Sequence, residues 1–547
     1  MGSSLRRHAT AFVGLGLLAF VATSTGCGRD ASDGRRNVLL ISIDSLRRDR
    51  LGCYGHHPEF APDQAVSPHI DELASRGVVF DSAWTSSSWT LPAHMSLLTG
   101  LSAAGHGVES DDLRLDPLRE TLAESFKNAG WATAGVYSGP YLHPRYGFDR
   151  GFERYESAML SEAQIDELVA RERARRASAG EPGVTDAEER VFRARVSNWD
   201  VTSSRVTAQA ERFLVDHGDR PFFLFLHYFD VHYDHLPDAA VPGLAHAFDA
   251  DYHGAFDGRN WYFDPRVREL DPPFTRRIGE RDLHHVMALY DAEVQWVDHH
   301  VGRVLAALEK AGLADDTIVA VVSDHGDEFF EHDGIGHRNT LFAEVARIPL
   351  VLALPDGEHA GRRLPAPVRI HDLAPTLLDY AGAPSLRARD SASLRPLLAG
   401  TELAPRDVPS RLYDPAPWFV NVREAWRDAR FTVIRHFDLA GEHAEQVRDA
   451  ASGEPIFHVF DRDSDPDERA ALRPSDPRYR DAVERYRRAW RAEQAFLAAQ
   501  PRSPIEALRV TDSDPHQRAP LEALGYAAGA PDRTSSRSRL VLPPPGE

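Results

Sequence analysis

The stretch Asn37-Val38-Leu39-Leu40-Ile41-Ser42-Ile43-Asp44 decides how the rest of this chain is read. Five of its first seven residues are branched aliphatics with no polar alternation. A short run of that kind reads as a strand buried on both faces, the position of a central strand in a parallel sheet. It stops at Asp44, an acid at the carboxyl end of the strand, which is the edge where open α/β sheets place their ligands.

Working outward, similar apolar runs recur at Ala132–Tyr137, Phe222–His227, Thr317–Val322 and Ile348–Leu354. Amphipathic or polar stretches lie between them, among them Leu118–Ala129, Arg205–His217 and Asp298–Ala311. Strand alternating with helix predicts the α/β class, a mostly parallel central sheet with helices on both faces. Two stretches break the pattern. Ser161–Ser197, rich in Arg, Glu and Ala, predicts an exposed helix, and Leu236–Arg281, loaded with His, Asp, Tyr, Trp and Pro, predicts a long irregular cap able to shape a pocket. After Gly400 short apolar segments, Phe431–Ile434 and Ile456–Phe460, sit among turn-rich loops. They precede a helix over Asp476–Ala499 with Val483, Tyr486, Trp490 and Leu497 on one stripe. These features predict a catalytic domain over 36–400, a smaller C-terminal α+β subdomain over 401–511 and a flexible tail over 512–547.

With 547 residues and 42% hydrophobic side chains, the chain can bury one large core with a small appendage. The formal net charge is −20 and no basic cluster follows the leader, so nothing here neutralises a phosphate backbone and nucleic acid is excluded as a partner. Lysine is confined to Lys127 and Lys310. At the N-terminus Arg6, Arg7 and His8 precede the apolar run Ala11–Ala22, too short to span a bilayer, and Gly26-Cys27 follows. Residues 1–27 therefore read as a signal peptide, and Cys27 after small residues resembles a bacterial lipoprotein cleavage site. The expectation is export to the periplasm or cell envelope, with a lipid on Cys27 holding the chain at a membrane. The other cysteine, Cys53, then has no disulfide partner and is expected as a buried small hydrophobe.

Three clusters of acids and imidazoles fall at predicted strand ends: Asp44 with Ser45; His227, Asp230 and His232; and Asp324, His325 and Asp327. Hard oxygens with an imidazole are what a divalent cation needs. Between the first two runs Ser86-Ser87-Ser88-Trp89-Thr90-Leu91-Pro92-Ala93-His94, leading into Met95–Gly100. A hydroxyl before a proline-containing turn, followed by a helix, sets an oxygen and free backbone N–H groups at the helix's positive end, a cradle for an anion.

At this point a resemblance becomes plain. Asn37–Gly55, Ser67-Pro68-His69-Ile70-Asp71, Thr90–Gly100 and Ser323-Asp324-His325-Gly326-Asp327 resemble, in order, the motifs of the sulfatase family of the alkaline phosphatase superfamily. The similarity continues through Gly336-His337, Arg347-Ile348-Pro349 and Asp372–Leu377 to Phe460-Asp461 and Asp465–Glu468. The resemblance implies metal-ligand positions at Asp44, Asp324 and His325, with Ser45 replacing a usual second aspartate, and a nucleophile position at Thr90. A typical member carries cysteine or serine there, converted to formylglycine, with arginine four residues on; this chain has Thr90 and His94, and threonine cannot become that aldehyde hydrate. The family's sulfate-holding lysines have no counterpart, and His337 follows Gly336. Fewer carboxylates and more imidazole favour zinc or manganese, with calcium possible. The Thr-x-Pro-x-His turn is similar to the superfamily's threonine-nucleophile branches, which handle phosphoryl groups.

The expected chemistry is attack by Thr90 on an anionic ester, a phosphorylated or sulfated glycan, lipid headgroup or small molecule. Thr90, His94, His232 and His337 are the catalytic candidates. His227, Asp230 and Arg47 are expected on the substrate side. Three readings stand: a phosphate-ester or phosphodiester hydrolase or transferase, a sulfuric ester hydrolase without formylglycine, and a catalytically silent relative that binds an anionic glycan or lipid headgroup.

Overall fold

The structure is a computed structural model that describes residues 34–510, apart from 187, 190–191, 194–195, 197–199, 233, 260, 262–263, 270–274, 388–389, 402–405, 414–420, 441–442 and 447–455. The expected leader, with Cys27, and the expected tail lie outside the described residues. Among those described, no helix is long and apolar enough to cross a membrane.

Eight strands make the central sheet: β1 (Asn37–Ile43), β2 (Val78–Phe80), β3 (Ala132–Tyr137), β4 (Arg154–Ser157), β5 (Phe222–Tyr228), β6 (Thr317–Ser323), β7 (Leu350–Ala353) and β8 (Arg362–Leu364). Their order is β8-β2-β7-β6-β1-β5-β3-β4, and only β7 runs against the rest. Every residue of β1 is buried, as an aliphatic strand with neighbours on both sides and helices on both faces must be. Register sets Ile43 beside both Tyr228 and Ser323, so the chain leaves β1, β5 and β6 at one edge of the sheet. The expected strand Ile348–Leu354 is two strands. Pro349 supplies no N–H, so Arg347–Ile348 pairs with Ala83–Trp84 in a separate small sheet before β7 begins.

The helices that cover the sheet include α1 (Pro68–Ser75), α2 (Thr90–Thr99), α3 (Leu122–Asn128), α4 (Glu162–Ser178), α5 (Ser203–Asp216), α6 (Glu280–Lys310) and α7 (Leu373–Ala381). A capping box between Thr121 and Glu124 starts α3 later than its sequence pattern suggests. The exposed helix expected after Ser161 is α4, laced by pairs such as Glu167–Arg171. By contrast α6 begins well before Asp298 and takes the end of the expected irregular cap into one 31-residue helix. Its buried face carries Asp291, Glu293, Asp298 and His300 among the aliphatics, which blurs the apolar period in the sequence. Each finds a partner: Asp298, for instance, accepts the N–H groups of His69 and Ile70 and so caps α1.

Beyond them an antiparallel sheet of five strands, β9 (Val408–Leu412), β10 (Asn421–Arg427), β11 (Phe431–Ala440), β12 (His443–Gln446) and β13 (Phe457–Asp461), packs under α8 (Pro477–Ala498). Ala482, Val483 and Tyr486 of α8 meet Trp426, Phe431, Val433, Phe457 and Val459, while Leu412, Ala425, Ile434 and Phe460 join the main core. A fully buried pair, Arg427 and Glu468, ties this sheet to the carbonyl of Leu341. Cys53 is half-buried rather than buried, and burial with the nearby Asp71 carboxylate pushes its thiol up to about 12.

Candidate active site

Where β1 ends, Asp44 is completely buried and Ser45 turns into the left-handed region at φ 56°. That conformation is strained for a residue with a Cβ. It aims the Ser45 N–H at Asp324 Oδ1 (3.2 Å) and the Ser45 hydroxyl at Asp44 Oδ1 (3.0 Å). Tyr290 of α6 holds the turn, donating to the Ser45 carbonyl at 2.8 Å.

Thr90 opens α2, with Trp89 as its extended N-cap. Its hydroxyl donates to Asp44 Oδ2 at 3.3 Å, and it sits where the helix presents unpaired N–H groups and positive dipole. Asp324 and His325 follow β6 directly. Asp324 Oδ1 accepts the His325 N–H at 2.9 Å, whereas Oδ2 has no hydrogen-bond partner although it is fully buried. His325 Nδ1 donates to the Gly326 carbonyl at 2.9 Å, which leaves Nε2 as a lone pair. That lone pair lies 3.2 Å from Asp324 Oδ2 and 3.7 Å from Asp44 Oδ1, again without a hydrogen bond. Two carboxylate oxygens and an imidazole lone pair repel one another unless a cation lies among them. The three ligand atoms fall within 4.8 Å of one another, so the residues present fit a divalent ion.

Four expected residues turn out to support this centre from behind or from a distance. His94 is wholly buried beneath it: Nδ1 meets the Thr90 carbonyl at 3.0 Å and Asp324 Oδ2 at 3.3 Å, and Nε2 meets the Ser42 hydroxyl at 2.8 Å. Burial presses its imidazolium down, but the Asp324 carboxylate outweighs that and raises it. With both ring nitrogens committed to protein atoms, His94 positions Thr90 and Asp324 instead of touching substrate. His227 takes the Ser138 N–H on Nδ1 (3.3 Å) and donates from Nε2 to Asp44 Oδ2 (3.2 Å). Burial presses its imidazolium down, and the Nε2 bond orients the Asp44 carboxylate. Burial alone would lift the Asp44 carboxyl; the hydrogen bond from His227 leads the contacts that hold it well below the usual range.

Asp230 caps α5, accepting from Thr202 N (2.7 Å), Ser203 N (2.8 Å) and the Thr202 hydroxyl (2.6 Å), with the Trp296 indole also donating at 3.2 Å. The guanidinium of Arg47 is spent on Asp49 (2.9 and 2.7 Å), Glu331 (2.6 Å) and the Asp327 carbonyl (3.0 Å). It braces the loop after β6 instead of neutralising a substrate.

His232 and His337 do come together. Their ring centroids are 4.8 Å apart, and His337 lies 4.4 Å from His325. His337 Nδ1 is 2.7 Å from Asp327 Oδ1, a carboxylate–imidazole pair that fixes the ring. His232 stacks on Phe229 at 4.3 Å, and burial with the neighbouring His337 drives it well below its ordinary value, so it is neutral. Its loop is pinned by a residue that sequence reading missed: Glu293 of α6 accepts from His235 Nδ1 at 2.8 Å and Leu236 N at 2.6 Å. The available signal was an acid set between Ala292 and Val294.

A parallel sheet whose adjacent strand ends bring Asp44, Asp324 and His325 to a hydroxyl in the first turn of α2 is the arrangement of an ester hydrolase of the alkaline phosphatase superfamily, with a potential metal-binding cluster beside the hydroxyl. A model of the sulfatase family matches residues 36–383, and this chain belongs to the sulfatase family. Among curated relatives, the multifunctional alkaline phosphatase superfamily protein PehA of Trinickia caryophylli is 26% identical over 514 residues, covering 84% of this chain and 96% of PehA. Iduronate 2-sulfatase of Mus musculus is 28% identical over 465 residues, covering 74% of each chain. Among solved structures, the phosphonate monoester hydrolase of Agrobacterium radiobacter matches with a TM-score of 0.59 at 21% identity, over 85% of this chain and 96% of its own. Another, in complex with D-glucosamine-2-N,6-O-disulfate, matches with a TM-score of 0.60 at 19% identity, over 85% and 99%. These structural likenesses show the fold.

Proposed function

We propose that this protein cleaves a phosphate ester or phosphodiester through a covalent intermediate on Thr90, passing the group to water or an acceptor alcohol. The observation that carries this reading is the Thr90 hydroxyl donating to Asp44 beside the Asp324 oxygen that accepts no hydrogen bond and the His325 lone pair. Thr90 cannot mature to formylglycine, and neither lysine lies in a family motif.

Asp44, Asp324 and His325 would hold the divalent ion, zinc or manganese before calcium. When bound, that ion supplies Lewis acidity and lowers the pKa of a neighbouring hydroxyl. The rest of the chemistry belongs to the chain. With its hydroxyl proton lost to solvent, Thr90 Oγ attacks phosphorus in line, forming the Thr90–phosphorus bond as the bond to the leaving oxygen breaks, and it recovers a proton from solvent when the second displacement frees it. The N-terminus of α2 stabilises the charge on the phosphoryl oxygens. His337, steadied by Asp327, protonates the leaving oxygen from Nε2, then accepts a proton from the water or alcohol that displaces Thr90 in the second step. Neutral His232 donates a hydrogen bond to a non-bridging oxygen. The leader pattern up to Cys27 supports placing this activity outside the cytosol, on a lipid anchor.

The test compares wild type, Thr90→Ala and Thr90→Ser on aryl phosphate, phosphodiester and sulfate esters, with metal content measured for each. Thr90→Ala is expected to keep its metal and lose about 10³-fold or more in turnover on phosphate esters. Acid-quenched wild type should carry phosphate on Thr90. Intact turnover in Thr90→Ala would end the covalent reading, and preference for the sulfate ester would move the substrate to the sulfuric class that the mammalian relative's name carries.

A further inference from the structure

Immediately after His337 the backbone turns left-handed at a residue with a long side chain: Arg338 has φ 58° and is 2% exposed. The same loop already bends this way at Phe330 and Asp333. Such backbone persists where surrounding contacts over-determine it, and it gathers at functional sites. The contacts here are specific. The Arg338 N–H donates to the Ser88 carbonyl at 2.8 Å. The guanidinium carbon lies 4.0 Å from the ring centroid of Trp89, the residue that caps α2 in front of Thr90. Nη1 donates to the Tyr141 hydroxyl at 2.8 Å, and Nη2 lies 3.8 Å from Asp111 Oδ2. Trp89 and Tyr141 themselves meet edge to face at 5.2 Å, both buried.

We infer that Arg338 is a positioning residue that clamps the His337 loop to the nucleophile turn, fixing the distance between the Thr90 hydroxyl and the imidazole that serves the leaving group. The inference rests on the reading of Thr90 and His337 given above. Its physical content is that two loops from opposite ends of the catalytic sequence are held in register by one backbone hydrogen bond and one buried cation. That cation is sandwiched against Trp89 and tied to Tyr141. A slip of the clamp would move His337 relative to Thr90.

The experiment uses the full chain loaded with zinc and a series of phosphate esters whose leaving groups run from p-nitrophenol to a simple alkanol. Arg338→Gln is expected to lower kcat/KM by about 100-fold for the alkyl ester and by less than about 10-fold for the p-nitrophenyl ester, because only the poor leaving group needs the proton. Inhibition by inorganic phosphate and zinc content should stay at the wild-type level. Arg338→Lys should recover most of the alkyl-ester rate by keeping the cation over Trp89. Tyr141→Phe, which removes the accepting hydroxyl and keeps the ring, should show an intermediate loss with unchanged melting temperature and keeps the test open if Arg338→Gln folds poorly.

A uniform loss across leaving groups together with a fall in melting temperature would mean that Arg338 only supports the fold, and the inference would be overturned. Weaker phosphate inhibition with kcat unchanged would make it a substrate contact and overturn it equally. If His337→Asn shows no leaving-group dependence, the acid assignment fails and takes this inference with it. If His337→Asn shows that dependence and Arg338→Gln does not, the inference alone fails.

Discussion

Consider Asp324→Asn in protein stripped of metal with a chelator. In the wild type Asp324 Oδ2 is buried without a hydrogen bond, beside the lone pair of His325 at 3.2 Å. A buried acceptor left unpaired costs about 1–3 kcal/mol, and the imidazole of His94 at 3.3 Å offsets part of that. The asparagine oxygen can still accept from Ser45 and His325, while its amide hydrogens can point at the His325 lone pair. The stripped variant should therefore be more stable than stripped wild type by about 1 kcal/mol. The order must reverse with metal. Zinc at about 100 times its dissociation constant adds about 2.7 kcal/mol to wild type, and nothing to a variant that has lost one of three ligands. Urea denaturation in chelator and in excess zinc, repeated with manganese and calcium, reads all the values and ranks the ions. The reasoning is refuted if Asp324→Asn gains as much from zinc as wild type does, or if stripped wild type is the more stable of the two.

Two further outcomes follow from the same structure. His106 takes the Val108 N–H on Nδ1 at 3.0 Å and meets the Pro92 carbonyl and Ser96 hydroxyl through Nε2, so it is held neutral, and burial pushes it down to about 3. Its folded value lies below the unfolded one, so stability is complete above pH ~6.5 and falls as the pH drops toward ~3, by about 1.4 kcal/mol per unit. His106→Gln should remove that slope between pH ~6 and ~4 in denaturant titrations; an unchanged slope would assign the effect elsewhere. Asp230→Ala should cost about 1–2 kcal/mol through loss of the α5 cap while turnover per folded molecule holds. A drop in turnover with stability intact would return Asp230 to the substrate side.

The centre of the fold was legible because β1, β3, β5 and β6 are buried on both faces and advertise it with mostly apolar runs. Asp44, Thr90, Asp324 and His325 were legible because each follows such a run or opens a proline-marked helix. What escaped was whatever depends on a distant partner. Arg47 and Asp230 look like substrate ligands in sequence, since an arginine beside an acidic strand end says nothing of Glu331, and an aspartate after β5 says nothing of the helix start at Thr202. The long helix α6 hid because its buried face carries ionisable groups, and its acids satisfy α1 and the His235 loop across large sequence separations. The left-handed turns at Ser45 and Arg338 have no sequence mark at all, being imposed by the loops that close over them.

The register of β1 bears on how the molecule is made. Its two flanking strands arrive only at Phe222–Tyr228 and Thr317–Ser323. Until the first of these arrives, a strand with five aliphatics in seven residues has both edges open, and parallel pairing over such separations is slow to nucleate. Truncated chains ending before residue 323 should thus hold no partial catalyst, only an adhesive hairpinless ribbon, and a cell producing this protein must shelter that ribbon until residue 323 has emerged.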